Sequence, residues 1–148
     1  MKDNRVLLGF SGGIDSFAAI GLLQAAGYKV TALTLDMYGD SALLEKARLR
    51  AGALGIPWRM RSVRERFERE VVDYFTDSYF RGRTPAPCTR CNSRIKWPCL
   101  AAEADALGIR HIATGHYFRI TSAGGKRYVT RAADNRKDQS YYLWDLPQ

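Results

Sequence analysis

The chain has 148 residues, 46% of them hydrophobic and 26% charged, a balance that fits one folded domain with its own core and excludes a disordered or fibrous polymer. Lysine and arginine number 23 against 15 aspartate and glutamate, a formal net charge of +8, which suits a polyanionic partner as well as it suits the solvated face of an arginine-rich helix. Three cysteines, an odd number, with no signal-peptide core point to a reducing cytoplasmic setting rather than a disulfide framework, and no apolar run approaches the roughly 20 residues of a membrane span.

In chain order, Arg5 to Phe10 carries the run Val6, Leu7, Leu8 and ends in the small-residue turn Ser11-Gly12-Gly13, the pattern of a buried strand. Phe17 to Ala26 is apolar on nearly every side and stops at Gly27, which predicts a buried helix closed by a C-terminal glycine. Lys29 to Leu35 repeats the strand pattern, and Ser41 to Leu54 predicts a helix with Leu43, Leu44, Ala47 and Ala51 on one stripe. Gly55, Ile56 and Pro57 break it. Trp58 to Ser62 alternates apolar and basic residues as a strand does, and Val63 to Phe80 places Phe67, Val71, Tyr74, Phe75 and Ser78 at helical spacing. Tyr28, Tyr74, Phe75, Tyr79 and Phe80 are read as packing aromatics.

Gly82 to Asn92, with Pro85 and Pro87, is read as a loop, and Ser93 to Leu107 as a helix with Pro98 near its first turn, where a missing NH costs least. His111 to Thr114 is a fourth short strand, His111 being read as structural. Tyr117 to Thr121 and Lys126 to Thr130 flank Gly124 and Gly125 as a hairpin. The alternation of strand and helix implies an α/β fold, a doubly wound, mainly parallel sheet spanning residues 1–148 as one domain. Ligands in such sheets bind beyond the carboxyl ends of the strands. Those ends are Ser11 to Ser16, Leu35 to Tyr38, and Gly115 with His116.

The first strand runs through Gly9, Phe10, Ser11, Gly12, Gly13, Ile14, Asp15 and Ser16 directly into a helix, so backbone NH groups and the positive end of the helix dipole converge on one point. An anion belongs there. Gly12 and Gly13 admit phosphate oxygens without a Cβ clash, and the Ser11 and Ser16 hydroxyls add hydrogen bonds. The spacing and lysine of a Walker A loop are missing, and GxGxxG does not match. A cradle without lysine is compatible with holding pyrophosphate as a leaving group while the α phosphorus is attacked. The plainer reading is a strand-to-helix turn with Asp15 or Ser16 as helix cap. The full string SGGIDS resembles the PP-loop of ATP pyrophosphatases that adenylate their substrates, and by that resemblance Asp15 helps bind the Mg²⁺ that accompanies ATP.

Residues 82–97 carry Cys88 and Cys91 beside a predicted helix start, with Arg83, Arg90 and Arg94 nearby, surroundings that favour thiolate. This string, SGGIDS, Ala113-Thr114-Gly115-His116-Tyr117 and Lys137-Asp138-Gln139-Ser140-Tyr141 together resemble, in the same order, the tRNA-specific 2-thiouridylase family. The resemblance implies an adenine nucleotide alpha hydrolase-like (PP-loop) domain in which Gly9 to Ser16, Leu35 and Gly115 contact ATP. It implies that Ala86, Pro87 and Cys88 face the target uridine, that Cys91 is the catalytic cysteine, and that His116, Lys137, Asp138 and Gln139 contact tRNA. The implied reaction is adenylation of the C2 carbonyl oxygen of the wobble uridine with release of pyrophosphate, then attack by a persulfide sulfur and loss of AMP. The implied partners are tRNA and a protein sulfur donor.

Two departures from the family pattern stand out. Ala86-Pro87-Cys88 replaces the usual Asn-Pro-Asp, which leaves three roles open for Cys88: pairing with Cys91, carrying sulfur itself, or helping to hold an iron–sulfur cluster. Two cysteines complete neither a zinc site nor a cluster, so no metal site is expected from this chain alone and a cluster would need a further cysteine from outside it. Cys99, deeper in the predicted helix, reads as a small buried hydrophobe. The family's chains also continue past the KDQSY string, with their persulfide-carrying cysteine beyond it, so this chain is expected to be the N-terminal part or a reduced homologue. Tyr141, Tyr142, Leu143 and Trp144 then leave an apolar end for a partner or a second copy to cover. Two alternatives to the thiolating enzyme are another PP-loop adenylating ligase and a non-catalytic tRNA- or nucleotide-binding fragment.

Overall fold

The structure, a computed structural model, describes residues 3–147. These fall into two compact units: one formed by the residues up to Arg64 together with Pro98–Gly115, the other by Glu65–Trp97 together with the residues from His116 onward.

The first unit is built on four parallel strands, β1 (Arg5–Gly9), β2 (Lys29–Asp36), β3 (Trp58–Ser62) and β4 (His111–Thr114), in the order β3-β2-β1-β4. Val6, Leu7 and Leu8 are all buried because a central parallel strand is covered on both faces. Val6, Leu8 and Phe10 pack with Ile20 of helix α1 (Ile14–Ala25) and with Ala47 and Ala51 of α2 (Ser41–Ala53). On the opposite face Leu7 and Leu33 pack with Leu100 and Ala104 of α6 (Trp97–Ala106) and with Ile109. The sheet is therefore doubly wound, as its alternating pattern predicts.

Helix α1 starts at Ile14, three residues before the predicted Phe17, because Gly13 acts as N-cap. It closes at Gly27, whose φ of 87° belongs to the left-handed region that glycine alone enters freely. The Gly27 NH donates to Gln24 O and the Tyr28 NH to Leu23 O, tying off carbonyls the helix end leaves unmatched. In α2 the predicted stripe narrows: Ala47 and Ala51 are fully buried while Leu43 is 41% exposed. Two alanines let this helix approach the sheet closely.

A helical run begins at α3 (Arg64–Phe67), whose residues from Glu65 onward belong to the second unit, passes through a π-helical turn (Glu68–Val72) and continues as α4 (Asp73–Phe80). Phe67, Val71 and Ser78 are buried as expected, but Phe75, Tyr79 and Phe80 are exposed. A π turn inserts a residue and rotates the following face by about 100°, which carries Phe75 off the stripe. Phe75 and Tyr79 pack edge to face on each other, with ring centroids 4.9 Å apart.

The predicted loop over residues 82–92 is shorter than its prolines suggest, since α5 (Pro87–Cys91) takes up its second half. Pro87 occupies the first turn, where its fixed φ favours a helix and its missing NH has no acceptor to lose. A second π-helical turn (Asn92–Lys96) joins α5 to α6, with the Trp97 NH donating to Asn92 O. Pro98 is thus the second residue of α6, not of a helix starting at Ser93, and the wider π turn before it spares a carbonyl the clash a proline ring would cause. Strands β5 (Arg119–Ala123) and β6 (Lys126–Thr130) pair antiparallel, Ala123 facing Lys126. Gly124 and Gly125, at φ of 56° and 75°, make the two-residue turn, and β5 starts two residues later than predicted. A short 3₁₀ turn (Ser140–Leu143) buries Leu143 and leaves Tyr141 and Trp144 exposed.

Leu100 is 2% exposed, and a Cβ on Gly9 would lie 3.2 Å from its Cδ1, so it fills the space directly beneath the end of β1. Leu100→Ala is expected to lower unfolding free energy by about 2–5 kcal/mol, read from chemical denaturation monitored at the tryptophans.

Candidate functional site

With the order β3-β2-β1-β4, the direction of winding reverses between β1 and β4, and the crevice at such a switch point is where doubly wound sheets bind ligands. The segments following these two strands come together there. A Cβ on Gly115 would stand 3.0 Å from Ser16 N and 3.1 Å from Ser16 Cα, so the residue after β4 abuts the first turn of α1 closely enough that a side chain there would press on its backbone.

The loop between β1 and α1 is held from several sides. The Phe10 NH donates to Leu33 O at 2.8 Å, and the Phe10 side chain is buried in the core, so Phe10 offers a ligand its backbone alone. The Thr34 hydroxyl donates to Phe10 O at 2.7 Å and in turn accepts from Trp58 Nε1 at 3.0 Å. Gly12 has φ of 74°, and a Cβ there would lie 3.3 Å from Ala47 Cα. Ser11 Oγ and Ser16 Oγ are 3.3 Å apart, the Gly13 NH points at Ser11 Oγ, and the Ser16 hydroxyl donates to Gly13 O at 3.1 Å. No side chain caps α1, which answers the reading of Asp15 or Ser16 as cap: the first intrahelical bond runs from the Phe17 NH to Gly13 O at 3.0 Å, so the amides before it in this turn have no intrahelical acceptor. Asp15 and Ile14 are exposed at this turn.

Leu35 at the end of β2 is half-buried against the Leu7–Leu33 core. Next to it lies Asp36, 3% exposed, which sequence reasoning passes over. Its Oδ2 accepts from Arg64 Nε at 2.7 Å and Nη2 at 2.5 Å, and its Oδ1 accepts from the Gly39 NH at 2.7 Å. The Arg64 guanidinium, and after it the Gly39 amide, hold the Asp36 carboxyl below its ordinary range against the opposing effect of burial. This pair fixes the loop that leaves β2. Its residues lie 28 apart, and no local pattern announces them.

The second unit carries Cys88, Cys91 and the residues the resemblance connects with tRNA. Cys88 is exposed and Cys91 is 7% exposed, both within α5, and none of the three cysteines is in a disulfide. Cys99 is buried in α6, as expected of a small hydrophobe. Ala86 is the N-cap of α5 and donates its NH to the Tyr74 hydroxyl at 3.3 Å. Arg90 stacks over the Tyr74 ring at 4.6 Å and bonds Glu70 O and Oε2. Asn92, 2% exposed, donates from Nδ2 to Cys88 O at 3.0 Å and so braces the turn bearing both thiols.

Asp138 and Gln139 build their own loop. Asp138 Oδ1 accepts from the Ala132 and Ser140 amides and Oδ2 from the Ser140 hydroxyl, and these bonds, the Ala132 amide first, lower the carboxyl's pKa. Gln139 Oε1 accepts from the Tyr117 NH while its own NH donates to Tyr117 O. Lys137 is exposed. His116 is partly buried, and desolvation, with a smaller push from Lys96, brings its pKa down to about 4. His111, exposed in β4, contacts Asp3 O through Nε2 at 3.1 Å and the Tyr28 ring edge to face, in keeping with a structural part.

Among the described residues no group of three or more His, Cys, Asp and Glu could hold a metal ion. Cys88 and Cys91 alone do not make up a cluster's thiolates. No helix among the described residues is long and apolar enough to cross a membrane.

Residues 4–148 match the model of the family described as tRNA methyl transferase HUP domain. The chain is 47% identical over 150 residues to tRNA-specific 2-thiouridylase MnmA 2 of Phocaeicola vulgatus, covering 99% of this chain and 43% of that protein. It is 48% identical to tRNA-specific 2-thiouridylase MnmA 1 of Bacteroides fragilis, covering 99% and 41%, and 36% identical to the MnmA of Clostridium acetobutylicum, covering 99% and 45%. The chain thus spans less than half the length of these relatives. Among solved structures, a predicted subunit of tRNA methyltransferase from Methanocaldococcus jannaschii aligns with TM-score 0.57 at 20% identity over 82% of this chain and 56% of that one. Glutamine-dependent NAD⁺ synthetase from Acinetobacter baumannii aligns with TM-score 0.52 at 23% identity over 73% and 21%. At these identities the two structures share the fold.

Gly115→Ala brings a methyl group within about 3 Å of the Ser16 backbone and is expected to weaken anion binding at the loop at least ~10-fold, read by calorimetric titration with inorganic pyrophosphate while the circular dichroism spectrum stays unchanged. The unfolded His116 imidazole protonates near 6.5 and the folded one near 4, so the unfolded chain binds more protons in that interval. The stability contributed by the neutral ring is complete above about pH 6.5 and is lost as pH falls toward 4. Its ring resonances are expected to stay at their neutral positions at pH 5.5, and a midpoint near 6.5 would contradict this.

Proposed function

The chain belongs to the tRNA methyl transferase HUP domain family, and from that premise we propose that it is the ATP-using, uridine-activating part of a tRNA-specific 2-thiouridylase. The observation that carries the reading is the SGGIDS turn at the switch point, closed by Gly115 and presenting backbone amides rather than a lysine. Amides and a helix dipole suit a pyrophosphate that departs intact.

In this reading Gly9 to Ser16, with Leu35 and Gly115, bind ATP. Asp15, at the exposed first turn of α1, would help hold the Mg²⁺ that accompanies ATP, an ion that would neutralise charge building up on the departing phosphates. The uridine C2 oxygen attacks the α phosphorus and pyrophosphate leaves. A persulfide sulfur then attacks C2, the C2–O bond breaks and AMP departs with the oxygen. The Cys91 thiolate attacks the inner sulfur of the persulfide so that the S–S bond breaks, leaving 2-thiouridine and a disulfide between Cys91 and the cysteine that carried the persulfide. Ala86, Pro87 and Cys88 face the base, Cys91 is the catalytic cysteine, and Cys88 is a second thiol one helical turn away. His116, Lys137, Asp138 and Gln139 form a tRNA-contacting group in which the exposed Lys137 meets phosphate, while Asp138 and Gln139 act by holding the loop's shape. A neutral His116 offers a hydrogen bond rather than a charge. The sulfur comes from a donor protein in the cytoplasm, and exposed Tyr141 and Trp144 are the surface for a further region or a second copy.

One observation favours a second reading. Cys91 is 7% exposed, and a PP-loop ligase that adenylates an acid or amide has no use for it. Both readings are separated by incubating the chain with ATP, Mg²⁺, a persulfide donor and tRNA bearing an unmodified wobble uridine. Pyrophosphate release is expected only with tRNA present, and Cys91→Ser is expected to lower 2-thiouridine formation on the order of 10³-fold or more. Release without tRNA, or thiolation indifferent to that change, favours the ligase.

A further inference from the structure

Arg50 lies in the last turn of α2 and donates from Nη1 to the carbonyl of Gly12, 38 residues away in sequence. Its side chain is half-buried, and among the described residues no carboxylate forms an ion pair with it. A half-buried guanidinium matched by one carbonyl places a positive charge beside the loop, where it favours any anion that binds. One turn earlier on the same face, Ala47 is fully buried and would touch a Cβ on Gly12. The helix is thus seated on the loop at two adjacent positions.

The consequence lies in the peptide between Gly12 and Gly13. A trans peptide points its C=O and N–H in opposite directions. Drawing the Gly12 oxygen toward α2 turns the Gly13 NH to the other side, toward Ser11 Oγ at 3.3 Å. Without that anchor the carbonyl is free to rotate into the crevice, where its negative end would repel a phosphate. Gly12, at φ of 74°, has the freedom to make such a flip.

We propose that Arg50 is a positioning residue of the phosphate loop: it locks the Gly12–Gly13 peptide with its carbonyl turned toward α2 and away from a bound anion, and it supplies the positive charge that a lysine provides in other phosphate loops. This rests on the assignment of ATP to the loop made above. Arg50→Met removes donor and charge, Arg50→Gln keeps a donor alone, and Arg50→Lys keeps donor and charge. Binding of ATP, AMP and inorganic pyrophosphate is measured for each by calorimetry, together with thermal unfolding.

Arg50→Met is expected to weaken ATP and pyrophosphate ~10-fold or more, to change AMP by no more than about threefold, and to melt close to the unaltered chain. Arg50→Lys recovers most of the loss and Arg50→Gln less. If Arg50→Met does not fold, the difference between the lysine and glutamine variants decides. Equal losses for ATP and AMP, affinity unchanged in Arg50→Met, or no recovery with lysine overturns the proposal. An unaltered chain that binds neither ATP nor pyrophosphate overturns instead the nucleotide assignment on which it depends.

Discussion

The turn from β1 into α1 concentrates donors and removes acceptors. Backbone amides at a helix start are attractive to an anion only if neighbouring carbonyls face elsewhere, and here two of them are accounted for. Thr34 donates to Phe10 O and is itself held by Trp58, while Arg50 donates to Gly12 O. Each tether comes from a different element, β2 with β3 in one case and α2 in the other. The sheet order that brings β1 between β2 and β4 is what allows the loop to be gripped in this way and closed by Gly115.

The two units distribute the chemistry. Loop, Leu35, Asp36–Arg64 pair and Gly115 belong to the first, whereas the Cys88 and Cys91 thiols, His116 and the Lys137–Gln139 segment belong to the second. The first unit is closely packed around the loop, with alanines and glycines at close approaches and a buried carboxylate paired to arginine. The second is built around helices with π turns, a geometry often retained at functional positions because it costs regular hydrogen bonding. Asn92 begins one of these turns and holds the carbonyl of Cys88, which ties the irregularity directly to the cysteine-bearing segment.

Much of the site is legible in the sequence because its signals are local. SGGIDS follows an apolar strand and precedes a helix, and those features alone predict an anion cradle. The double glycine of the hairpin foretells its turn for a similar reason, since few residues accept positive φ. Reading Pro87 as part of a loop misses the start of α5 because proline signals both a break and a first helical turn, and the residues after it decide between the two. Phe75 leaves the expected stripe because the apolar period assumes 3.6 residues per turn, and a π turn alters the count without changing composition.

By itself the sequence determined the alternation of strands and helices, the small-residue turn from the first strand into a helix and the family, since each depends on residues adjacent in the chain or on strings preserved as units. The tertiary structure decided the strand order, the closure of the loop by Gly115, the burial of Cys91, and the pairing of Asp36 with Arg64 and of Gly12 with Arg50. These last contacts join residues 28 and 38 positions apart. Hydrogen bonds and ion pairs act over a few ångströms in space, and only folding brings such distant parts of the chain within that range.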